Sequence, residues 1–277
     1  MAAGGGHGRG ARGTERVLDA EAVEAAARAA GLQGDARFVT ATGSTNDDLM
    51  AAAEAGAPAW SVLAAGRQDA GRGRLGRTWV AGQGSSLLVS VLLRPGLPPE
   101  VAAVVGLGAA VALAEALEGA GLATRCKWPN DVVSATSGRK IAGVLPESRI
   151  EGGIVRYVVV GTGVNVLQSA ADFPEEFRDA ATSVAIEGGA VDQERLLASY
   201  LTALRTRYDP DAPGFVMGTL AAYRSRCETI SQRVRATTVD GEVVEGTAVG
   251  LGVGGELVVR TPGDEVVIAF GEVERLR

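Results

Sequence analysis

A stretch rich in glycine and arginine, residues 66–79, constrains most strongly what this chain can fold into. It reads GRQDAGRGRLGRTW, and its arginines are not part of an apolar helix or strand face. Glycine lets backbone N–H groups come close to a ligand, and a guanidinium binds a carboxylate or phosphate through two hydrogen bonds at once. The stretch therefore predicts a loop that binds anions.

Two nucleotide-binding motifs partly match this loop. Gly71, Gly73 and Gly76 fit the dinucleotide pattern G-x-G-x-x-G, and the same segment approaches a P-loop with Arg77 in the lysine position. Both motifs need a following helix whose N-terminus meets the phosphate. Residues 85–93, SSLLVSVLL, instead predict a strand and carry no helix start signal. Neither nucleotide-binding fold is favoured, and a flexible, charged surface loop is a further alternative.

Histidine, cysteine and lysine are scarce, which argues against several kinds of site. The only histidine is His7, so a histidine-dependent triad or metal site is nearly excluded. Cys126 and Cys227 have no metal-ligand spacing and no disulfide-rich context, which predicts a reducing cytoplasm. The chain has 25 arginines but only two lysines, Lys127 and Lys140, within one segment of 14 residues. The pair favours a function for both ammonium groups, with chance clustering as the alternative.

The N-terminal part and the overall charge predict a soluble, cytoplasmic protein. Residues 1–13 are a low-complexity leader for which we expect disorder, and they lack the apolar core of a signal peptide. Fewer than 45 residues precede the first motif, too few for a leader and a separate winged-helix domain. In a predicted helix at 99–122, the longest uncharged run is too short to span a bilayer. The net charge of −6 argues against unspecific binding of nucleic acid.

The sequence pattern changes near residue 226. Before it, predicted helices and strands alternate, including a hairpin at 124–145 with a lysine on each side of its turn. After it, four short β-rich runs are separated by Asp-Gly, Gly-Gly and Pro-Gly turn signals. About 50 residues of this kind form a small barrel or sandwich. We therefore predict a leader at 1–13, an α/β domain at 14–226 and a β domain at 227–277.

The polar side chains of the motifs suit a reaction in which the substrates supply the nucleophiles. Activation of a carboxylate by ATP is such a reaction, since two like charges about 4 Å apart repel by roughly 4 kcal/mol at an effective dielectric of about 20. Arginine, lysine and a Mg²⁺ ion held by a carboxylate would offset this repulsion. The side chains are the cations Arg72, Arg74, Lys127 and Lys140, the anion Asp131, and the neutral Ser44, Thr45, Asn46, Gln68, Asn130 and Asn165.

Four motifs and one polar triplet together resemble the signatures of biotin–protein ligases, over residues from about 38 to 277. The resemblance implies an α/β (α+β) fold, with a catalytic domain like that of class II aminoacyl-tRNA synthetases on a mostly antiparallel sheet. A small C-terminal SH3-like β-barrel would follow it. Residues 14–226 would then form the catalytic biotin- and ATP-binding domain. The motifs are GRGRLGR at 71–77, KWPND at 127–131, GRKIAG at 138–143 and GTGVN at 161–165, and the triplet is Ser44-Thr45-Asn46.

By this resemblance the chain would attach biotin to a protein in two steps. Biotin and ATP, with Mg²⁺, would give biotinyl-5′-AMP and pyrophosphate. A lysine of a biotin carboxyl carrier protein of an acyl-CoA carboxylase would then attack the mixed anhydride. The implied type is monofunctional and lacks a DNA-binding domain, so we expect neither operator binding nor membrane association. A monomer or a weak homodimer is expected.

The resemblance also implies roles for individual residues. Lys140 would lie at the biotin carboxylate beside the α-phosphate, and Asp131 would either bind Mg²⁺ or accept the proton of the incoming lysine. Catalysis would use Lys140, Arg72, Arg74, Asp131 and Lys127. Biotin would contact Ser44, Thr45, Asn46, Gln68, Arg72, Gly73, Arg74, Lys140 and Gly143. ATP would contact Arg72, Arg74, Lys127, Trp128, Asn130 and Asn165.

The chain departs from the family pattern in three places. Pro146 stands where the family usually continues a strand with an aliphatic residue. Proline has no backbone N–H, so it cannot donate a hydrogen bond to a neighbouring strand. We therefore expect the strand to end there or to lie on an edge. The loop that covers the adenine is expected near residues 148–156, whose sequence is not diagnostic. Arg277 matches a family arginine only loosely.

Other functions remain open at this point. A lipoate–protein ligase shares the implied fold and adenylate chemistry, but its own motifs are missing. A P-loop-type NTPase is a second alternative. A third is a non-enzymatic protein whose glycine–arginine loop contacts RNA, although an acidic chain with five phenylalanines offers few stacking platforms for bases.

Overall fold

The computed structural model describes residues 18–190, 192–269 and 271–276. The leader at 1–13 and Arg277 therefore lie outside the described residues. The α-helices are α1 Ala20–Ala29, α2 Thr45–Glu54, α3 Ala103–Gly119, α4 Gln193–Arg207 and α5 Phe215–Arg226. The strands are β1 Ala36–Val39, β2 Val62–Ala65, β3 Ser86–Leu93, β4 Thr124–Lys127, β5 Asp131–Ser134, β6 Lys140–Glu151, β7 Ile154–Asn165, β8 Arg233–Thr238, β9 Val243–Leu251, β10 Leu257–Arg260, β11 Glu265–Ile268 and β12 Gly271–Arg275.

The first sheet has seven strands in the order β1-β2-β3-β7-β6-β5-β4. Only β1 and β2 pair in parallel among these strands, so the predicted mostly antiparallel sheet is confirmed. All eight residues of β3 are buried, because the sheet is covered on both faces. Leu87, Val89 and Val91 belong to the large core, whereas Leu92 belongs to a smaller core with Leu49 of α2. Helix α2 thus covers one face.

Helix α3 is the central helix on the opposite face. It packs against α4, α5 and β6, and its buried residues include glycine, alanine, valine and leucine on all sides. By length and composition alone, Pro99–Gly119 is apolar enough to cross a membrane, but 67% of its most apolar window is buried inside the protein. A helix that is apolar all round and buried belongs to a core. The predicted core helix is therefore confirmed.

The long hairpin of β6 and β7 differs from the sequence-based expectation. Strand β6 does not end at Pro146, which pairs with Val160 of β7. The N–H of Val144 donates to Asn130, and the next backbone nitrogen on that side of β6 belongs to Pro146. The pairing of β5 with β6 ends at Gly143, so Pro146 has no strand on that side. The proline therefore lies on a local edge, which was the second of the two expectations for this position.

The hairpin also includes the GTGVN motif and the segment for which a loop was expected. Strand β7 continues through the GTGVN motif to Asn165, because small residues are tolerated on a face that is closely covered. The loop expected to cover the adenine at 148–156 is wrong, since Ser148 pairs with Val158 and Glu151 pairs with Ile154, with one register shift between Arg149 and Ile150. This ladder lies at the end of the sheet away from Lys140, so it is not a cover for that residue.

The second sheet contains five antiparallel strands in the order β11-β10-β9-β8-β12. The predicted β runs correspond to β8, β9, β10 and β11, and β12 was not predicted. The prediction of an α/β domain followed by a small β domain is confirmed. Trp128, which follows β4, donates its indole N–H to the carbonyl of Gly255 at 2.9 Å and joins the two sheets. The predicted boundary near residue 226 coincides with the last residue of α5.

Candidate active site

The floor of the candidate site is a row of paired residues across the first sheet. Leu88 of β3 pairs with Gly163 of β7, which pairs with Gly143 of β6. Gly143 also pairs with Asp131 of β5, and Asp131 pairs with Lys127 of β4. Directly paired residues project from the same face of a sheet. Two adjacent glycines therefore leave open space between an apolar side chain and two charged ones.

Trp79, the last residue of the glycine–arginine loop, occupies this space. A Cβ added at Gly163 would lie 2.6 Å from Cε2 of the indole, and a Cβ at Gly143 would lie 3.4 Å from its Cζ3. Only glycine therefore lets the ring approach this floor. The indole Nε1 is buried, and no described residue accepts a hydrogen bond from it. A buried donor without a partner is costly, which makes it available to a ligand in the site.

Lys140 stands beside Trp79 at the charged end of the floor. Its Nζ lies 2.7 Å from Oδ1 of Asp131 and 5.6 Å from the centre of the Trp79 ring. The side chains of Lys140 and Asp131 are 35% and 24% exposed, so both remain accessible to a substrate. The structure thus brings together a lysine and an acid that the sequence had placed in separate motifs.

The structure offers little support for Asp131 as a resident magnesium ligand. Its carboxylate is already paired with Lys140. Among the described residues, no group of three or more histidine, cysteine, aspartate or glutamate side chains is arranged to hold a metal. One carboxylate alone does not form a magnesium site, because Mg²⁺ needs near-octahedral oxygen coordination.

The start of helix α2 supplies a buried polar cluster on the same face of the sheet. Ser44 is the N-cap of α2, and its Oγ accepts a hydrogen bond from the N–H of Asp47 at 3.5 Å. The backbone N–H and the hydroxyl of Thr45 donate to Oε1 of Gln68 at 2.7 and 2.9 Å. The hydroxyl of Ser90 in β3 lies 2.8 Å from the Thr45 hydroxyl. These contacts fix the orientation of the Gln68 amide, whose Nε2 lies near Gly71.

Asn46 holds the elements of the site together. Its side chain lies so close to Gly161 that a Cβ there would stand 2.3 Å from Oδ1. That Oδ1 accepts from Ser90 at 2.7 Å, and Nδ2 donates to the carbonyl of Leu145 at 3.1 Å and to Glu147 at 2.6 Å. The whole amide is therefore engaged within the protein. This placement argues for a structural contact, and not for the biotin contact that the resemblance implied.

The loop arginines tether the loop to two different parts of the protein. Arg72 donates to Asp47 and Glu147, at 2.5 and 2.8 Å. Arg74 donates to the carbonyl of Gly271 in β12 at 3.3 Å. Burial lowers the pKa of the Arg74 guanidinium, an effect that the charge of Asp131 partly offsets. Asp131 is thus within electrostatic reach of Arg74, Lys140 and Lys127.

The backbone of the loop is held in the same way. Arg77 pairs with Glu272 at 2.5 Å, next to the contact that Arg74 makes with β12. The N–H of Gly73 donates to the carbonyl of Arg77 at 2.6 Å, and the Trp79 N–H donates to Gly71 at 2.9 Å. The loop is therefore a folded turn that carries Trp79 onto the floor, and the alternative of a flexible surface loop is not supported.

The residues expected at ATP lie in different environments. Lys127 is half-buried at the end of the floor, and Asn130 donates to the carbonyl of Val144 at 2.9 Å. Asn165 is buried and donates to the carbonyl of Thr182 at 3.0 Å. Trp128 is 3% exposed and its indole N–H is bonded to Gly255, so a contact of its side chain with ATP stays a prediction. Of these residues, Lys127 alone belongs to the floor row.

Four features of the site were missed by sequence reasoning. They are Trp79, Ser90, Glu147 and the segment 180–187 beside Lys140. Two of the three serines of SSLLVSVLL, at positions 86 and 90, recur on one face of a buried strand and could have indicated a polar site. Glu147 follows a proline within a strand, and no local pattern marks it.

The arrangement supports charge neutralisation, and the described residues of the site include neither an activated cysteine nor a histidine base. Cys126 is fully buried, and burial raises the pKa of its thiol to about 12. The described residues contain no histidine. The site instead brings the cations of Arg72, Arg74 and Lys140 near the glycine floor that Trp79 covers. Such a site stabilises negative charge that develops between bound reactants.

Comparison with known proteins agrees with this chemistry. Residues 39–165 match the biotin/lipoate A/B protein ligase family, and residues 229–276 match the biotin protein ligase C-terminal domain. The bifunctional ligase/repressor BirA of Bacillus spizizenii is 36% identical over 208 residues, which are 74% of this chain. This chain spans 63% of the length of that relative.

A second relative and a solved structure match over most of their length. The biotin–[acetyl-CoA-carboxylase] ligase of Mycobacterium tuberculosis is 35% identical over 249 residues, covering 86% of this chain and 88% of the relative. The Aquifex aeolicus biotin protein ligase in complex with biotin and ATP has a TM-score of 0.68 and 27% identity, covering 86% of this chain and 98% of that structure. On this similarity in sequence and fold, the chain belongs to the biotin protein ligase family of enzymes.

Proposed function

We propose that this chain catalyses the ATP-dependent attachment of biotin to a lysine of a carrier protein. The observation that carries the proposal is the group of Lys140, Arg72 and Arg74 around the glycine floor, without a protein nucleophile. A reaction between two anionic substrates needs such a site, because it must offset their mutual repulsion. Family membership is consistent with this chemistry.

The reaction consists of two displacements. A carboxylate oxygen of biotin bonds to the α-phosphorus of ATP, the bond from that phosphorus to the bridging oxygen breaks, and pyrophosphate leaves. The amine nitrogen of the acceptor lysine then bonds to the carbonyl carbon of biotinyl-AMP, and AMP leaves with the electron pair. Lys140 and Arg74 would hold the carboxylate and the α-phosphate side by side in the first displacement.

The apolar end of the floor suits the ring system of biotin. Thr45 and Gln68 present oriented polar groups there, and the Trp79 indole supplies an unpaired N–H. A ureido group offers both an acceptor and donors, which matches such a set. We place the biotin ring between these residues, with Ser44, Gly73 and Gly143 beside it, and the valerate chain directed toward Lys140.

Asp131 has two possible roles in this scheme. A magnesium ion would enter with the ATP phosphates, since Mg²⁺ is usually bound by one or two carboxylates together with substrate phosphates. Alternatively, Asp131 accepts the proton of the attacking amine. The variant Asp131→Asn separates the two roles: a proton acceptor is needed only for transfer from preformed biotinyl-AMP, whereas a metal ligand is needed for its formation.

The acceptor is proposed from the chemistry of the relatives. The relatives of M. tuberculosis and Paracoccus denitrificans are named as biotin–[acetyl-CoA-carboxylase] ligases. We therefore infer that the acceptor is the biotin carboxyl carrier protein of an acyl-CoA carboxylase. A cytoplasmic location, the absence of operator binding and a monomer or weak homodimer remain predictions, which cell fractionation, gel-shift assays and ultracentrifugation test.

Exchange of labelled pyrophosphate into ATP tests the proposed function. We expect exchange that depends on biotin and is not supported by lipoate, because the first displacement is reversible. Exchange with lipoate in place of biotin would favour a lipoate–protein ligase. Absence of exchange, together with RNA binding that weakens steeply with salt, would favour the RNA-contact alternative.

A further inference from the structure

The backbone of Lys140 is held by a segment that lies outside all of the sequence motifs. The N–H of Lys140 donates to the carbonyl of Ala180 at 2.8 Å, and the N–H of Thr182 donates to the carbonyl of Lys140 at 2.8 Å. Together these bonds form an isolated parallel bridge between Lys140 and Ala181. The position of the lysine therefore depends on the position of residues 180–182.

Thr182 is in turn fixed by two further contacts. The residue is fully buried, and its carbonyl accepts the hydrogen bond from Asn165 described above. Its hydroxyl donates to Oε1 of Glu187 at 2.8 Å. Asn165, the last residue of the GTGVN motif, thus reaches Lys140 through Thr182.

Glu187 connects this segment to the turn that precedes Lys140. Besides Thr182, its carboxylate accepts hydrogen bonds from Ser134 at 2.6 Å and from Ser137 at 2.7 Å. The side chain is 8% exposed, and the guanidinium of Arg139 lies 3.9 Å away. Burial opposes ionisation, but the three hydroxyl donors outweigh it, and the pKa of Glu187 is lowered. The carboxylate is therefore charged at neutral pH.

We propose that Glu187 is a positioning residue that fixes Lys140 from both sides. It holds Thr182, which pairs with the Lys140 backbone, and it holds the turn at residues 134–139 from which Lys140 emerges. The inference rests on the proposed function, since it assigns to Glu187 an effect on the reaction that Lys140 serves. Glu187 touches neither substrate in this scheme and acts only through Lys140.

The negative charge of Glu187 is required because the hydroxyl groups of Ser134 and Ser137, on its two different oxygens, must both donate. Ser134 Oγ already accepts the N–H groups of Thr136 and Ser137, both at 3.1 Å, so its proton is directed to Glu187. Ser137 Oγ likewise accepts the N–H of Arg139 at 3.3 Å. A glutamine has one acceptor oxygen and one donor NH₂ group. In either orientation its NH₂ group faces a hydroxyl that needs an acceptor.

The test compares Glu187→Gln with the matched control Glu176→Gln. Glu176 is an exposed glutamate that lies four residues before the segment 180–187, so its variant makes the same change of charge. In the ligand-free protein we expect faster hydrogen–deuterium exchange at the amides of Lys140 and Thr182 in Glu187→Gln. In pyrophosphate exchange we expect kcat/KM for ATP to fall by roughly tenfold or more, the loss typical of a hydrogen bond to a charged group.

A third variant separates positioning from packing. Glu187→Asp keeps the charge and loses one methylene, so we expect it to recover part of the ATP kinetics, whereas the isosteric glutamine does not. If Glu187→Gln showed the wild-type rate of amide hydrogen exchange at Lys140 and Thr182 and the wild-type kcat/KM for ATP, the inference would be overturned. Equal losses in the aspartate and glutamine variants would assign Glu187 to packing alone. Lack of pyrophosphate exchange in the wild type would contradict the proposed function. Hydrogen–deuterium exchange at the amides of Lys140 and Thr182 would still test the role of Glu187.

Discussion

At the scale of the residue, Lys140 combines accessibility with a fixed position. Its ammonium lies between the Asp131 carboxylate and the face of the Trp79 ring, and its backbone is paired on both sides. A lysine held in this way meets an anion without losing much side-chain freedom on binding. The ion pair with Asp131 also keeps a carboxylate within reach of any amine that approaches the site.

Replacing this lysine tests its role directly. We expect Lys140→Ala to abolish pyrophosphate exchange and to weaken biotin binding by about tenfold or more, because a hydrogen bond to a charged group is lost. Isothermal titration calorimetry with biotin measures the affinity. Arg156→Ala is the control, since that arginine pairs with Glu151 at the far end of the β6–β7 hairpin. Unaltered biotin affinity in Lys140→Ala would remove the lysine from the biotin site.

At the same scale, the sequence predicted which residues are polar and near the site better than it predicted what they contact. Ser44 is the N-cap of α2, a role that depends only on the local sequence. Asn46 and Asn165 were expected at ligands, but both amides are used to hold separate elements together. Their partners are distant in sequence, so no local pattern reveals them. Trp128 was expected at ATP because it lies in the KWPND motif, but its indole N–H forms a contact between the two sheets.

At the scale of the element, the glycine floor depends on the register of three strands. Gly163 and Gly143 are opposite each other only because β6 and β7 pair in one register. A shift by one residue would turn both glycines to the other face. The small residues of these motifs predicted close approach to the backbone, but the registered row was not predictable. The segment 180–187 lacks any helix or strand period, so its contact with Lys140 was not predictable either.

Adding one methyl group to the floor tests its importance. In Gly163→Ala the new Cβ would collide with the Trp79 ring, so the indole must move. We expect biotin affinity to fall by about tenfold, in line with the usual cost of overpacking. Gly250→Ala on β9 is the control, since a Cβ at Gly250 meets nothing within 4 Å. Calorimetry that gave wild-type affinity for Gly163→Ala would show that the floor does not shape the site.

At the scale of the whole molecule, the second sheet supports the site from outside. Strand β12 holds Arg74 through the carbonyl of Gly271 and holds Arg77 through Glu272. The buried Trp128 indole joins the catalytic side to Gly255 of the second sheet. The loop over the floor is therefore anchored to both parts of the protein. The β domain was predictable from its turns, whereas its contact with the loop was not.

The variant Trp128→Phe separates a structural from a nucleotide-binding role for this indole. The Gly255 carbonyl would lose its buried donor, so we expect the free energy of unfolding to fall by about 1–3 kcal/mol. The KM for ATP should stay unchanged. Urea denaturation and ATP saturation of the exchange reaction measure the two quantities. Wild-type stability with a raised KM for ATP would return Trp128 to the ATP site.

The most direct test of the account is a crystal structure with biotin and a nonhydrolysable ATP analogue bound together. We predict that the biotin carboxylate and the α-phosphate both lie against the Lys140 ammonium, with the biotin ring beside Thr45, Gln68 and Trp79. Binding of either reactant away from Lys140 and the glycine floor would contradict the claim that this basic cluster brings the two anions together.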